Sequence, residues 1–304
     1  MVRVTGRKKK VLPHSPESAD RVLRRHLSAQ LAVIVKNEPS ATQGSVEALH
    51  DIRVALRRMR SLCMTFGKLD KKFLDPLDRR ASKLCDRMGD ARDLDVWIGL
   101  FRELIREGGV EDVSVRDRRA VLSLLQQERT RLAADALSCG AFRRVKQMLR
   151  EYLRRPLPQR RKERSPPAVY QARRMLAVRK LIEDRRKQAG NFSKGPAHDL
   201  RRAGRRLRYL SEFFAEGMGP ICVRAGNWIT QAQAALGKVH DCDSALDLSQ
   251  GLPTGKARAV VRRALKRRRA EHLRKFKAAW KEYANPRLQE AWLVRLKAAA
   301  AGRD

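Results

Sequence analysis

His50-Asp51-Ile52-Arg53-Val54-Ala55-Leu56-Arg57-Arg58-Met59-Arg60 decides the fold, because it is written twice. The second copy, 148 residues on, is His198-Asp199-Leu200-Arg201-Arg202-Ala203-Gly204-Arg205-Arg206-Leu207-Arg208. Seven of the eleven positions are identical, and Leu62/Leu210 and Phe66/Phe214 continue the match. A second pair obeys the same offset: Gly89-Asp90-Ala91-Arg92-Asp93-Leu94-Asp95 against Gly237-Lys238-Val239-His240-Asp241-Cys242-Asp243. Two motifs sharing one offset read as an internal duplication of a unit of about 150 residues.

At about 100° per residue, His50, Arg53, Arg57 and Arg60 share an arc of about 80° on one helix. Leu49, Ile52, Leu56, Met59 and Cys63 fill the neighbouring arc and face a core. His198, Arg201, Arg205 and Arg208 repeat the strip, and Lys194, one turn earlier, extends it. The wheel turns Arg58 away from the strip. A solvated basic face explains an isolated Arg-rich helix, but not a strip set beside the apolar arc and repeated with histidine at its head. Guanidinium forks suit phosphate oxygens, and a histidine beside an anion gains proton affinity. The two strips therefore predict a shared anion groove.

The second motif has two readings. Gly89 and Gly237 end helices and the aspartates cap the next ones. Alternatively, Asp93, Asp95, Asp241 and Asp243 accept hydrogen bonds from the arginines or histidines and orient them, with Arg92, Lys238 and His240 adding cation at the groove mouth.

Helical periodicity runs through the rest, and no segment alternates as a strand. Helices are expected near 17–37, 45–66, 73–88, 93–107, 114–138, 140–153, 168–189, 196–216, 219–236, 240–250, 255–284 and 286–299. The fold class is all-α. Residues 1–14 form a basic arm, 15–153 a first helical-bundle repeat, 154–167 a Pro-rich basic linker with Pro156, Pro158, Pro166 and Pro167, and 168–304 a second repeat, the two repeats making one domain.

Composition narrows the function. With 69 Lys plus Arg against 33 Asp plus Glu, the net charge is +36, and self-repulsion on that scale implies a polyanionic partner. DNA, RNA, an anionic membrane surface and polyphosphate all qualify on charge. Aromatics are 5% and only Tyr209 interleaves with a strip, so base stacking is poorly served, and non-specific nucleic-acid contact through 143–164 and 256–281 is the alternative. A metal site built from His50, His198, His240 and the aspartates is disfavoured by the surrounding arginines. His26 and His272 read as core residues and His14 lies in the arm. No local nucleophile or carboxylate cluster suggests hydrolysis, so no enzyme, metal or cofactor is expected. No apolar run approaches the ~20 residues of a membrane span, and Met1 to Lys10 leads into no apolar signal segment. Cys63, Cys85, Cys139, Cys222 and Cys242 are scattered, as buried hydrophobes in a reducing, cytoplasmic setting would be.

The doubled H-x-x-R-x-x-x-R-R-x-R helix, each followed by G-x-x-R/H-D-x-D, resembles the CHAD family, named for conserved histidines in an α-helical domain. The resemblance covers about residues 15–297. It implies two helical bundles related by a pseudo-twofold axis around a central basic channel, with inorganic polyphosphate as ligand and polyphosphate granules as a destination. The family's basic positions fall on His50, Arg53, Arg57, Arg60, His198, Arg201, Arg205 and Arg208, with Arg92 and His240 in the second motif. Arg58 and Arg206 match the pattern although the wheel turns them away from the strip. The E-x-E-x-K strand of the triphosphatase domain that some members carry does not occur here, so phosphatase chemistry is not carried over.

Overall fold

The computed structural model describes residues 18–111, 113–157, 166–214, 219–251 and 255–302. The N-terminal arm with His14, and Pro158, Arg160 and Arg161 of the linker, lie outside the described residues, as do the side chains of Phe214 and Cys222. The described residues form ten α-helices, one short 3₁₀ turn and no strand. The helices are α1 (Ala19–Thr42), α2 (Val46–Phe66), α3 (Lys71–Arg106), α4 (Val115–Ser138), α5 (Gly140–Arg154), α6 (Pro167–Gln188), α7 (Lys194–Phe214), α8 (Gly219–Leu248), α9 (Gly255–Tyr283) and α10 (Pro286–Ala300).

Local signals set most boundaries. Ser18, Ser45, Asp70, Ser114 and Asn285 accept from backbone N–H groups in the first turns of α1, α2, α3, α4 and α10. Pro167 and Pro286 open α6 and α10, where a missing N–H costs nothing. Adding 148 to the first residues of α1, α2 and α3 gives the first residues of α6, α7 and α8. Helix α9 breaks step, starting eight residues early relative to α4.

Two expectations fail together. The breaks placed after Gly89 and Gly237 are absent: α3 and α8 run straight through both glycines. The glycines instead make room. A methyl group on Gly89 would stand 3.3 Å from Arg53 Nη2, and one on Gly237 3.8 Å from Arg201 Nε. Their helix-propensity cost of about 1 kcal/mol each lets a guanidinium lie close to the long helix. Helix α1 also continues past 37 through Pro39 to Thr42.

All ten helices contribute to one principal core, from Leu23, Leu27 and Ile34 of α1 to Trp292 and Leu296 of α10. The two halves of the chain thus share a core. A second cluster, centred on Trp97, Phe101, Val261 and Leu265, packs the far end of α3 against α4, α8 and α9. Across the middle, α2 meets α7 and α3 meets α8.

Candidate functional site

Where α2 and α7 meet, Arg57, Arg60, Ser61 and Met64 of one helix face Arg202, Arg205, Arg206 and Tyr209 of the other across an open groove. The apolar arcs of both helices are buried: Leu49, Ile52, Leu56 and Met59 on α2, Leu200, Leu207 and Leu210 on α7. The basic strip is therefore held at the core boundary, half-buried rather than solvated. Of the two arginines set away from the strip, Arg58 stays off the groove lining and turns to the partner helix, whereas Arg206 joins the groove. Arg58 Nη2 donates to Glu212 of α7 at 2.6 Å and its guanidinium lies 5.8 Å from the centroid of the Tyr209 ring. Arg206 lines the groove, its proton affinity lowered by burial and by Arg174, Arg202 and Arg60.

Arg53 and Arg201 sit nearer the core, against the two glycines. Arg53 donates to the carbonyl of Cys85 at 3.4 Å, and burial with Arg57 beside it lowers its pKa to about 10. Burial likewise lowers Arg201. Asp93 and Asp241 lie among them, each raised by burial and opposed by the field of Arg201, with Arg53 also acting on Asp93. Arg205 has the least compensation: burial, then Arg57 and Arg201, hold its proton affinity well below the usual guanidinium range. The Nε atoms of Arg57 and Arg201 are buried without a protein acceptor.

The histidines form the other end. His198 and His240 rings lie 4.5 Å apart, and His50 stands beside Arg92 in the matching position. Proton affinity is lowered, not raised, in the free protein. Burial first, then Arg201, bring His198 to about 4 and His240 to about 3; burial and Arg92 lower His50. All three are neutral at pH 7.

The remaining positions divide. Asp95 and Asp243 do not orient groove arginines; each holds an arginine from the next helix. Arg129 Nε donates to Asp95 at 2.8 Å and its Nη1 to the carbonyl of Gly44 at 2.7 Å. Arg269 Nε donates to Asp243 at 2.6 Å and its Nη2 to the carbonyl of Phe192 at 2.6 Å. Gly44 and Phe192 are matching positions just before α2 and α7, both in the left-handed region at φ 98° and 59°. Two clasps thus fasten the starts of the strip helices to α3 and α8. The sequence reading missed Arg129 and Arg269; α9 is out of step with α4, so they share no offset.

Arg60 lines the groove while its Nε meets Asp78 at 3.0 Å. Arg208 lies 5.1 Å from the centroid of the Tyr209 ring, with Glu212 at 3.6 Å, so Arg58 and Arg208 share one carboxylate. Lys194 departs from the strip and pairs with Asp247 on α8. Lys238 is exposed on α8, within the field of Asp241. Arg174 and Arg202 join Arg206 in the cationic field, and only their place in the packing reveals those two. His26 is half-buried against the Phe213 ring at 5.0 Å, and His272 is also half-buried. Among the described residues no three His, Cys, Asp or Glu side chains gather as a metal would need.

An all-α protein with cationic side chains gathered between two matched helix pairs is the class that this geometry defines. The chain belongs to the CHAD domain family, whose sequence model matches residues 25–250. It is similar to the crystal structure of the CHAD domain from the plant Ricinus communis, at 22% identity and TM-score 0.63, covering 98% of both chains. It is also similar to PptA from Streptomyces chartreusis, at 18% identity and TM-score 0.60, over 91% of this chain and 99% of that one. No curated protein matches. Among the described residues no helix is long and apolar enough to cross a membrane.

Proposed function

We propose that this chain binds inorganic polyphosphate in the α2/α7 groove, without a metal or cofactor and without cleaving it. One observation carries the reading: five arginines from two facing helices line one open groove, half-buried or at its rim, with a buried Nε of Arg57 lacking a protein acceptor. Charge-assisted bonds to an anion contribute about 1.5–3 kcal/mol each before coupling and screening. A polyphosphate chain is thin, flexible and charged at every unit, so successive units can meet Arg205, Arg57, Arg60 and Arg206 in turn. Family membership points the same way. The carboxylates beside the groove are engaged by arginine, Asp78 by Arg60 at 3.0 Å and Glu212 by Arg58 at 2.6 Å, and neither stands free as a base. The two motif copies fit a duplicated unit with the groove at the joint, and a cytoplasmic place beside polyphosphate granules suits such a ligand.

The test is displacement of labelled long-chain polyphosphate by duplex DNA, single-stranded RNA, ATP and heparin. The expected result is unlabelled polyphosphate far ahead of the others. Equal displacement by all the polyanions overturns the groove and leaves general basicity.

A further inference from the structure

Helix α9 carries a second concentration of charge, remote in character from the groove. Its inward side packs through Val261, Ala264, Leu265, Phe276 and Tyr283, all buried. On a wheel of about 100° per residue, the diametrically opposite 120° holds Arg263, Lys266, Arg267, Arg274, Lys277 and Lys281, every one exposed. The other described residues on that arc are Ala259 and Ala270, also exposed, while Ala278 and the half-buried Val260 share its edge. No carboxylate and no large apolar side chain interrupts the face. The nearest acid, Glu271, lies off its edge and is engaged by Lys275 at 2.6 Å. Arg268, one residue from the face, is turned inward to Glu103 and Glu107 and does not belong to it.

The fold does not require this. Helix α4 follows α3 as α9 follows α8, and its outer side mixes Arg131 with Glu128 and Asp135, at 2.5 and 3.3 Å, and exposes Leu124. A merely soluble helix face looks like α4, with opposite charges alternating at i,i+3 and i,i+4.

We infer that the outer face of α9 is a docking surface for the phosphate backbone of double-stranded nucleic acid. From Arg263 to Lys281 the cations run straight for about 27 Å, most of the ~34 Å of one duplex turn. Alanines between them let a broad, rigid surface come close. A duplex is far wider than a single phosphate chain and cannot enter the half-buried groove, so only exposed, convex cations can reach it. With no aromatic on the face, single strands gain no stacking there. With no apolar anchor, a membrane gains only surface charge. Recognition is by backbone charge, independent of sequence and steep in salt. At the far end, Arg263 and Arg267 flank a cleft beside Gly108 and Gly109, which gives the strand an edge to lie along.

The experiment compares the full chain with one carrying Arg263→Gln, Arg267→Gln, Arg274→Gln and Lys281→Gln, by anisotropy with a labelled 20-base-pair duplex. The expected result is at least tenfold weaker binding at about 0.1 M salt, and a log–log salt slope flatter by up to about 3.6, since each lost phosphate contact removes about 0.9. The four Arg or Lys exchanges that keep charge (Arg263→Lys, Arg267→Lys, Arg274→Lys, Lys281→Arg) should stay within threefold of the parent, which separates lost charge from lost folding. Unchanged duplex affinity in the glutamine chain overturns the inference. So does capture by phosphatidylglycerol-containing vesicles that exceeds duplex binding and is lost in the same chain. Polyphosphate binding is read in parallel: its loss in groove variants alone leaves this surface standing, and its persistence there sinks the groove without touching this result.

Discussion

The groove between α2 and α7 and the outer face of α9 are both built of Arg and Lys, yet they are different physical objects. In the groove, guanidinium groups are crowded, half-buried and poorly compensated, so Arg205 and Arg206 are held below the normal guanidinium proton affinity. On α9 the cations are exposed, separated by alanine and screened by water and salt. Burial multiplies what a charge is worth to a bound anion and what it costs the free protein. Exposure gives reach, on-rate and salt dependence with little affinity per charge.

The largest effect should come from what holds the groove in shape. Asp95 and Arg129 have side chains only 2% and 7% exposed, so Arg129→Met strands a buried carboxylate. A loss of roughly 3–5 kcal/mol in a urea melt is expected, whereas Arg267→Gln on α9 should change stability by less than ~0.5 kcal/mol. Equal melts for the two would break the comparison.

Arg205→Met should move stability the other way. Removing a buried, like-charged guanidinium relieves repulsion from Arg57 and Arg201, and the melting temperature should rise by ~2–4 °C while polyphosphate affinity falls at least tenfold. A scanning melt with a parallel titration checks both; a lower melting temperature contradicts the strained-groove picture.

Acidity sharpens the contrast further. The folded-state pKa values of His50, His198 and His240 lie below the unfolded value of about 6.5, so the unfolded chain binds more protons below that pH. Their contribution to stability is present above about 6.5 and is lost as pH falls toward about 4 for His198 and about 3 for His240. A bound polyanion reverses the bias by favouring imidazolium, so affinity should rise several-fold between pH 7.5 and 5.5. His198→Ala with His240→Ala should flatten that rise, and duplex binding on α9, which presents no histidine on its outer face, should stay level over the same range.

The smallest expected change is none: chelator-treated protein should bind polyphosphate within twofold of untreated protein, because the arginines supply the positive potential. Loss on chelation with recovery on zinc addition contradicts this.

The all-α class, most helix limits and the convergence of the two strips were legible because periodicity and caps are local. The glycines misled, since a Gly inside a helix and one ending it look alike until the arginine beside it is seen. That Arg206, set off the strip, joins the groove was not legible, because a wheel knows the core side of a helix but not its neighbour. Asp95 and Asp243 hid their partners because α9 is offset by eight residues from α4, so Arg129 and Arg269 carry no repeat signature. Arg174 and Arg202 have none either; packing alone brings them to the field.

The central claim, that enclosed and not merely numerous charge binds the ligand, is tested by calorimetric titration of long-chain polyphosphate at two salt concentrations. Two variants matched for charge removed suffice: Arg57→Ala with Arg205→Ala in the groove, and Arg263→Ala with Arg267→Ala on α9. At least a hundredfold loss is expected for the groove pair at both salts and no more than about threefold for the α9 pair, shrinking further at high salt. Equal losses from the two pairs would contradict it.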